Sequence, residues 1–269
     1  MNRTAVAAIV LRDLRVVARS KAVSLPILLL PVVFFVLAPA LLSLGAAAIG
    51  NDVAEFEELV AMMPEALRRD LAGLSPSAQV IVWGLEYLFA TFFLIVPLMT
   101  SAVIAADSFA GEKERKTLEA LVYTPTSDLE LYTGKLLAPW LAAFAVSTIG
   151  YIVFVAVASL AGGAIVGRPI ALTPRWLLFV LVLAPGVSAL AVGALVLVSA
   201  RVRGFQEAYQ LGGLVVLPLV VLLLGQLTGV LYLDGPAVVV AAAIVWLAAA
   251  GMLALGYRSF RRERLLVAF

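Results

Sequence analysis

Neither cysteine nor histidine occurs anywhere in the 269 residues. The first absence rules out disulfides and thiolate chemistry. The second rules out imidazole bases, and the two together remove the ligands of the usual zinc sites. A metal site built from carboxylates alone stays open. Charge is scarce as well: Asp, Glu, Lys and Arg make up 13% of the chain, where a soluble domain has about a quarter. Apolar residues fill the space, at 64%. Such a composition marks a polytopic membrane protein. A phosphate-binding loop is also missing. It needs Gly-x4-Gly-Lys followed by Ser or Thr, but Gly134-Lys135 is followed by Leu136, and Leu129 stands where the first Gly belongs. The chain is therefore not expected to bind ATP itself, and no cofactor of its own is expected. With one carboxylate clearly inside a span, an intramembrane enzyme has little to work with.

What is present is a set of long apolar runs. No charge occurs from Ala22 to Gly50, which is the first predicted span, with Pro26, Pro31 and Pro39 inside it as sources of kinks or a break. Ser75-Pro76 opens the second as cap and first-turn proline, running to Ala106. Leu136 to about Leu160, Trp176–Ala200, Leu211–Leu231 and Pro236–Gly256 complete six, with Asp234-Gly235-Pro236 as a tight turn. With the N-terminus inside, fifteen Lys and Arg residues fall on the cytoplasmic side and four (Arg68, Arg69, Arg168, Arg175) outside. That bias fixes the orientation, with both termini in the cytoplasm.

The longest charged passage, Asp107 to Lys135, lies on the cytoplasmic side. It holds four basic and six acidic residues. Gly111 is expected to break the chain after the second span. Glu112 to Val122 reads as a helix with Leu118, Leu121 and Val122 on one face; Glu112 with Lys116 and Arg115 with Glu119 can pair along the other. Pro125 ends it. Ser127 and Glu130 have capping-box spacing and start the next helix.

Gly-Glu-Lys-Glu-Arg-Lys-Thr-Leu-Glu-Ala-Leu (111–121), Thr124-Pro125, Glu130 and Gly134-Lys135 together resemble the signature of type-2 ABC-exporter permeases. The family pattern often has Gly where Lys116 stands, and a helix tolerates Lys better than Gly. The resemblance implies that this segment is a coupling helix docked on a separate ATPase subunit, through Glu112, Glu114, Arg115, Lys116, Thr117, Leu118, Glu119, Leu121 and Pro125. It implies ATP and Mg bound by that subunit, and a second permease copy, identical or homologous. No nucleic-acid partner is expected. The expected architecture is all-α: one transmembrane permease domain over residues 1–269 in the plasma membrane, six spanning helices, a cytoplasmic coupling helix and a helical extracytoplasmic loop.

Four features carry open readings. Residues 2–21 form a basic amphipathic helix, with Arg12, Arg15 and Arg19 opposite Val6, Val10, Leu14 and Val17; it is an interfacial elbow helix, as the resemblance implies, or a plain basic flank. The loop 51–79 has Phe56, Val60, Met63, Leu67 and Leu71 at helical spacing, split near Pro64; it is a lid, a dock for an extracytoplasmic protein, or a cap on its own spans. Glu86 is an acid within a span. It is a substrate-pathway candidate or a residue reaching interfacial water beside Trp83 and Tyr87. The polar stretch Arg201–Gln210 is a second ATPase contact or a plain turn. The alternative function is a membrane scaffold or maturation factor for an outer partner.

Because cysteine is absent, single cysteines test the orientation cleanly. An impermeant maleimide added to intact cells should label cysteines placed at Glu57 or Arg168 and leave one at Lys116 unlabelled. Labelling at Lys116 contradicts the assignment.

Overall fold

The computed structural model describes residues 2–49, 54–115, 126–199, 201–202, 204–227 and 233–259. Among them every regular element is helical, and six helices are long and apolar enough to cross a membrane: Val23–Ala48, Pro76–Glu114, Asp128–Val166, Pro174–Ser199, Phe205–Leu227 and Gly235–Arg258. These are the first to sixth spans of an all-α polytopic membrane protein. Burial separates them. In the second and fourth spans 78% and 72% of the most apolar stretch is buried, against 11–33% in the others. Spans two and four are the centre, and the rest ring them with side chains such as Leu28, Leu160, Val221 and Leu247 turned outward. In a bilayer that outward face is at home, because lipid tails are as apolar as leucine.

The centre is held by aromatic packing. Trp176, fully buried near the start of the fourth span, lies 5.5 Å from Phe93 edge-on and 5.0 Å from Phe154. Phe154 in turn stacks on Phe89 at 5.1 Å. These rings join spans two, three and four. Thr173 and Pro174 start the fourth span as N-cap and first-turn proline.

Local signals that were legible are realised. Ser75 accepts a hydrogen bond from the Ala78 amide ahead of Pro76. Ser127 and Glu130 form the reciprocal capping box. Asp234 accepts from the Ala237 amide at 2.8 Å and closes the turn into the sixth span. The three prolines of the first span leave it continuous, but it widens into a π-helical turn at Val33–Leu37, just after Pro31.

The helix ends differ from expectation. The second helix does not stop at Ala106, and Gly111 does not break it. Gly111 is helical (φ −66°, ψ −39°), and the helix runs on to Glu114 through a π-helical turn at Asp107–Gly111. The third helix begins at Asp128, eight residues before its apolar stretch. The fifth begins at Phe205, so most of the polar run Arg201–Gln210 is helix. Apolarity marks where a helix meets lipid; it does not mark where the helix ends. Spans two and three, at 39 residues each, are about 58 Å long and exceed a hydrocarbon core of about 30 Å. The charged residues Glu112–Glu114 and Asp128–Glu130 lie at neighbouring ends of these two helices.

Outside the opposite end, Ala54–Met62 and Glu65–Leu71 form two short helices, with Pro64 immediately before the second. Met63, Leu67 and Leu71 are buried, and Phe56 meets Trp83 at 5.6 Å. The apolar face read from the spacing is occupied by the protein's own core.

Candidate functional site

Two ion-paired clusters sit at opposite ends of the second span, each beside a π-helical turn (Asp107–Gly111 and Trp83–Leu88). Such turns are frequent at functional sites.

The inner cluster is built by three elements. The N-terminal helix, Arg3–Arg19, is capped by the Asn2 side chain and buries Val6, Ile9, Val10 and Asp13. Val6 and Val10 pack on Ala138 of the third span. The crossing is close at Gly134, where a Cβ would come within 2.8 Å of Ile9, so only glycine admits this approach. One residue on, Lys135 is completely buried. Its Nζ lies 2.6 Å from Glu112 Oε2 and 3.8 Å from Asp13 Oδ2, and it donates to the Ser108 carbonyl at 2.8 Å. Arg12 bridges Asp13 at 3.2 Å and Glu112 at 3.0 Å. Ser108 donates to Asp13 at 2.7 Å. Two cations thus face two carboxylates. A buried lysine this far from water is tolerable only with such compensation.

Glu112 to Arg115 each reach a different place. Glu112 reaches Lys135 and Arg12. Lys113 donates to the Val202 carbonyl at 3.3 Å. Glu114 accepts from the Phe205 amide at 2.9 Å and so supplies a cap for the fifth span. Arg115 turns back to Asp107 at 2.9 Å, passing over Gly111, where a Cβ would crowd both Asp107 and Arg115. The partners expected for Glu112 and Arg115 along the helix, Lys116 and Glu119, lie outside the described residues. Lys116, Thr117, Leu118, Glu119, Leu121, Val122 and Pro125, with the rest of the expected 112–122 helix, lie outside the described residues. A polar cleft of about 580 Å³ opens beside Glu114, lined by Gln206, Glu207 and Gln210.

At the outer end Glu86 is 2% exposed. Arg168, from the loop joining spans three and four, grips it with two bonds, at 2.6 and 3.0 Å. The Ala171 amide donates to the same carboxylate at 3.0 Å. Ala171 has φ +60°, a left-handed conformation that costs a non-glycine residue about 1–2 kcal/mol. The strain is held by Glu86 on its amide and by the Tyr151 hydroxyl on its carbonyl. Arg175 donates to the Glu86 carbonyl at 2.8 Å and lies over the Tyr87 ring at 3.8 Å; the Tyr87 hydroxyl donates to Asp70 of the outer helix. The hydrogen bonds to Glu86 push the Arg168 guanidinium above its ordinary range. A cleft of about 400 Å³ lies here, with Asp234 on its far wall. Glu86 is therefore a wall residue whose carboxylate is already satisfied.

Sequence reading missed Asp13 and Arg168 as partners and Lys135 as a buried charge. A signal existed for the first: Asp13 is the only acid in the first fifty residues. Arg168 had none, being 82 positions from Glu86.

A family model described as ABC-2 family transporter protein matches residues 7–239. None of the curated proteins matches the chain.

The outer pair is open to a double-mutant cycle. Arg168→Ala leaves a buried carboxylate short of its cation and should cost about 1–3 kcal/mol in detergent unfolding, reduced because Arg168 is 44% exposed. In the Glu86→Gln background the same change should cost much less. Equal costs in both backgrounds would mean that the two side chains do not interact.

Proposed function

The chain belongs to the ABC-2 transporter family, and on that premise we propose that it is the membrane-spanning permease subunit of an ATP-driven exporter. A separate ATPase subunit, carrying ATP and Mg, docks on the cytoplasmic segment at 112–125. A second permease copy, identical or homologous, completes the pathway, and the assembly sits in the plasma membrane with both termini in the cytoplasm. The single observation that carries the reading is the clamping of both flanks of this segment. Glu112 at its start and Lys135 beyond its end are joined at 2.6 Å.

Clamping suits a part that receives force. Residues 112–115 act as anchors, tied to the N-terminal helix, the third span and the turn before the fifth span. Residues 116–125 form the contact itself, with Leu118 and Leu121 at its apolar centre. ATP-driven movement of the ATPase displaces the segment, and the clamp passes that displacement to spans two and three and to the N-terminal helix as a rigid body. At the far end the Glu86–Arg168 pair fastens the outer loop to span two, so Glu86 shapes the pathway through Arg168. The apolar face of the outer helices is used on the protein's own core, which gives no support to a dock for an outer partner protein.

Leu118→Asp and Leu121→Asp test the docking face. Each would bury an uncompensated carboxylate at the contact, a loss of about 3–5 kcal/mol, more than about a hundredfold in affinity. The ATPase should fail to copurify, or should hydrolyse ATP without transport, while the permease still inserts. Unchanged copurification with coupled transport in both variants would overturn the proposal.

A further inference from the structure

A groove of about 1020 Å³ runs along the outside of the protein between the end of the N-terminal helix, the first span and the third span. Its lining is apolar from Val17 and Leu28 to Ile149 and Val153, with two exceptions, Lys21 and Ser24. These stand one helical turn apart, at one end of the groove. Phe35 lies at the other end against Gly150. From Lys21 to Phe35 the first span rises about 21 Å, more than one leaflet of a hydrocarbon core about 30 Å thick.

The polar end is cationic. Its cation is Lys21; Arg15 and Arg19 are exposed on the last turns of the preceding helix, on the face away from Leu14 and Val17. Among the described residues none of the three makes an ion pair. No acidic residue occurs between Arg15 and Gly50 to neutralise them. An apolar trough of leaflet depth that ends in fixed positive charge has the shape and charge complementary to one kind of molecule that a bilayer supplies.

We propose that this groove binds an anionic glycerophospholipid, one acyl chain lying along the first span over Phe35 and the phosphate at Lys21. Basic groups at the membrane surface attract anionic lipid within a Debye length, and the groove converts that attraction into a defined site. Bound there, the lipid joins the end of the N-terminal helix to spans one and three. The site does not depend on the ATPase, so it stands or falls apart from the docking reading.

The test uses the full chain in vesicles of phosphatidylcholine containing a trace of diazirine-acyl phosphatidylglycerol or of diazirine-acyl phosphatidylcholine. Photolabelled residues are mapped by mass spectrometry. The phosphatidylglycerol probe should label the walls at 28–36 and 146–153 at least threefold more than the phosphatidylcholine probe. Lys21→Gln should remove that preference and Lys21→Arg should keep it. Ile149→Trp, which fills the trough from an exposed position, should cut labelling near Phe35 with either probe. Equal labelling by the two probes in the parent chain, or an unchanged preference in Lys21→Gln, would overturn the proposal. So would absence of groove labelling together with disulfide formation between copies carrying Ile149→Cys, because a second copy would then occupy the trough.

Discussion

Lys135 is the constraint on which the end of the structure around the N-terminal helix depends. A fully buried ammonium demands negative charge at contact distance, and the sequence supplies it from two places far apart in the chain, Asp13 and Glu112. Meeting that demand fixes where the N-terminal helix crosses the third span and how far the second helix continues past its apolar stretch. Arg12 balances the second carboxylate, so the cluster is neutral as a whole. Breaking such a cluster leaves a charge stranded, so opening part of it is costly.

The outer cluster follows the same rule with one cation per carboxylate, and it holds a loop. Arg168 and the Ala171 amide converge on Glu86, and the strained backbone at Ala171 is maintained by those contacts. Between the two clusters the second span is mostly buried. Its aromatic packing against spans three and four gives a stiff path from one end of the protein to the other. Packing is therefore continuous along the second span from Glu112 to Glu86.

The sequence was most informative where the physics is local. Six apolar runs, the Ser127–Glu130 capping box, the Ser75-Pro76 start and the Asp234 turn all depend on neighbours within a few residues, and all are present. The ends of the helices were less legible, because an apolar count stops at Ala106 while the helix continues through charges that distant partners satisfy. Glu86 stood out as an acid inside a span, but Arg168 could not be assigned to it, since 82 residues and two helices separate them. The same holds for Asp13 and Lys135: each was visible as a charge, and their meeting is a product of helix crossing at Gly134. The spacing along 112–122 spoke only of neighbours on one helix, and could not point to Lys135 and Arg12 for Glu112 or to Asp107 for Arg115.

The central claim is that the N-terminal helix, the coupling segment and the start of the third span move as one unit. Spin labels on cysteines at Leu11 and Leu129, both exposed, report that geometry directly in a chain without native cysteine. Their distance distribution, measured in the complex with its ATPase before and after ATP binding, should stay the same to within about an ångström, as expected of a rigid body. A shift of several ångströms between the two labels on ATP binding would show that the cluster opens during the cycle and would contradict the account.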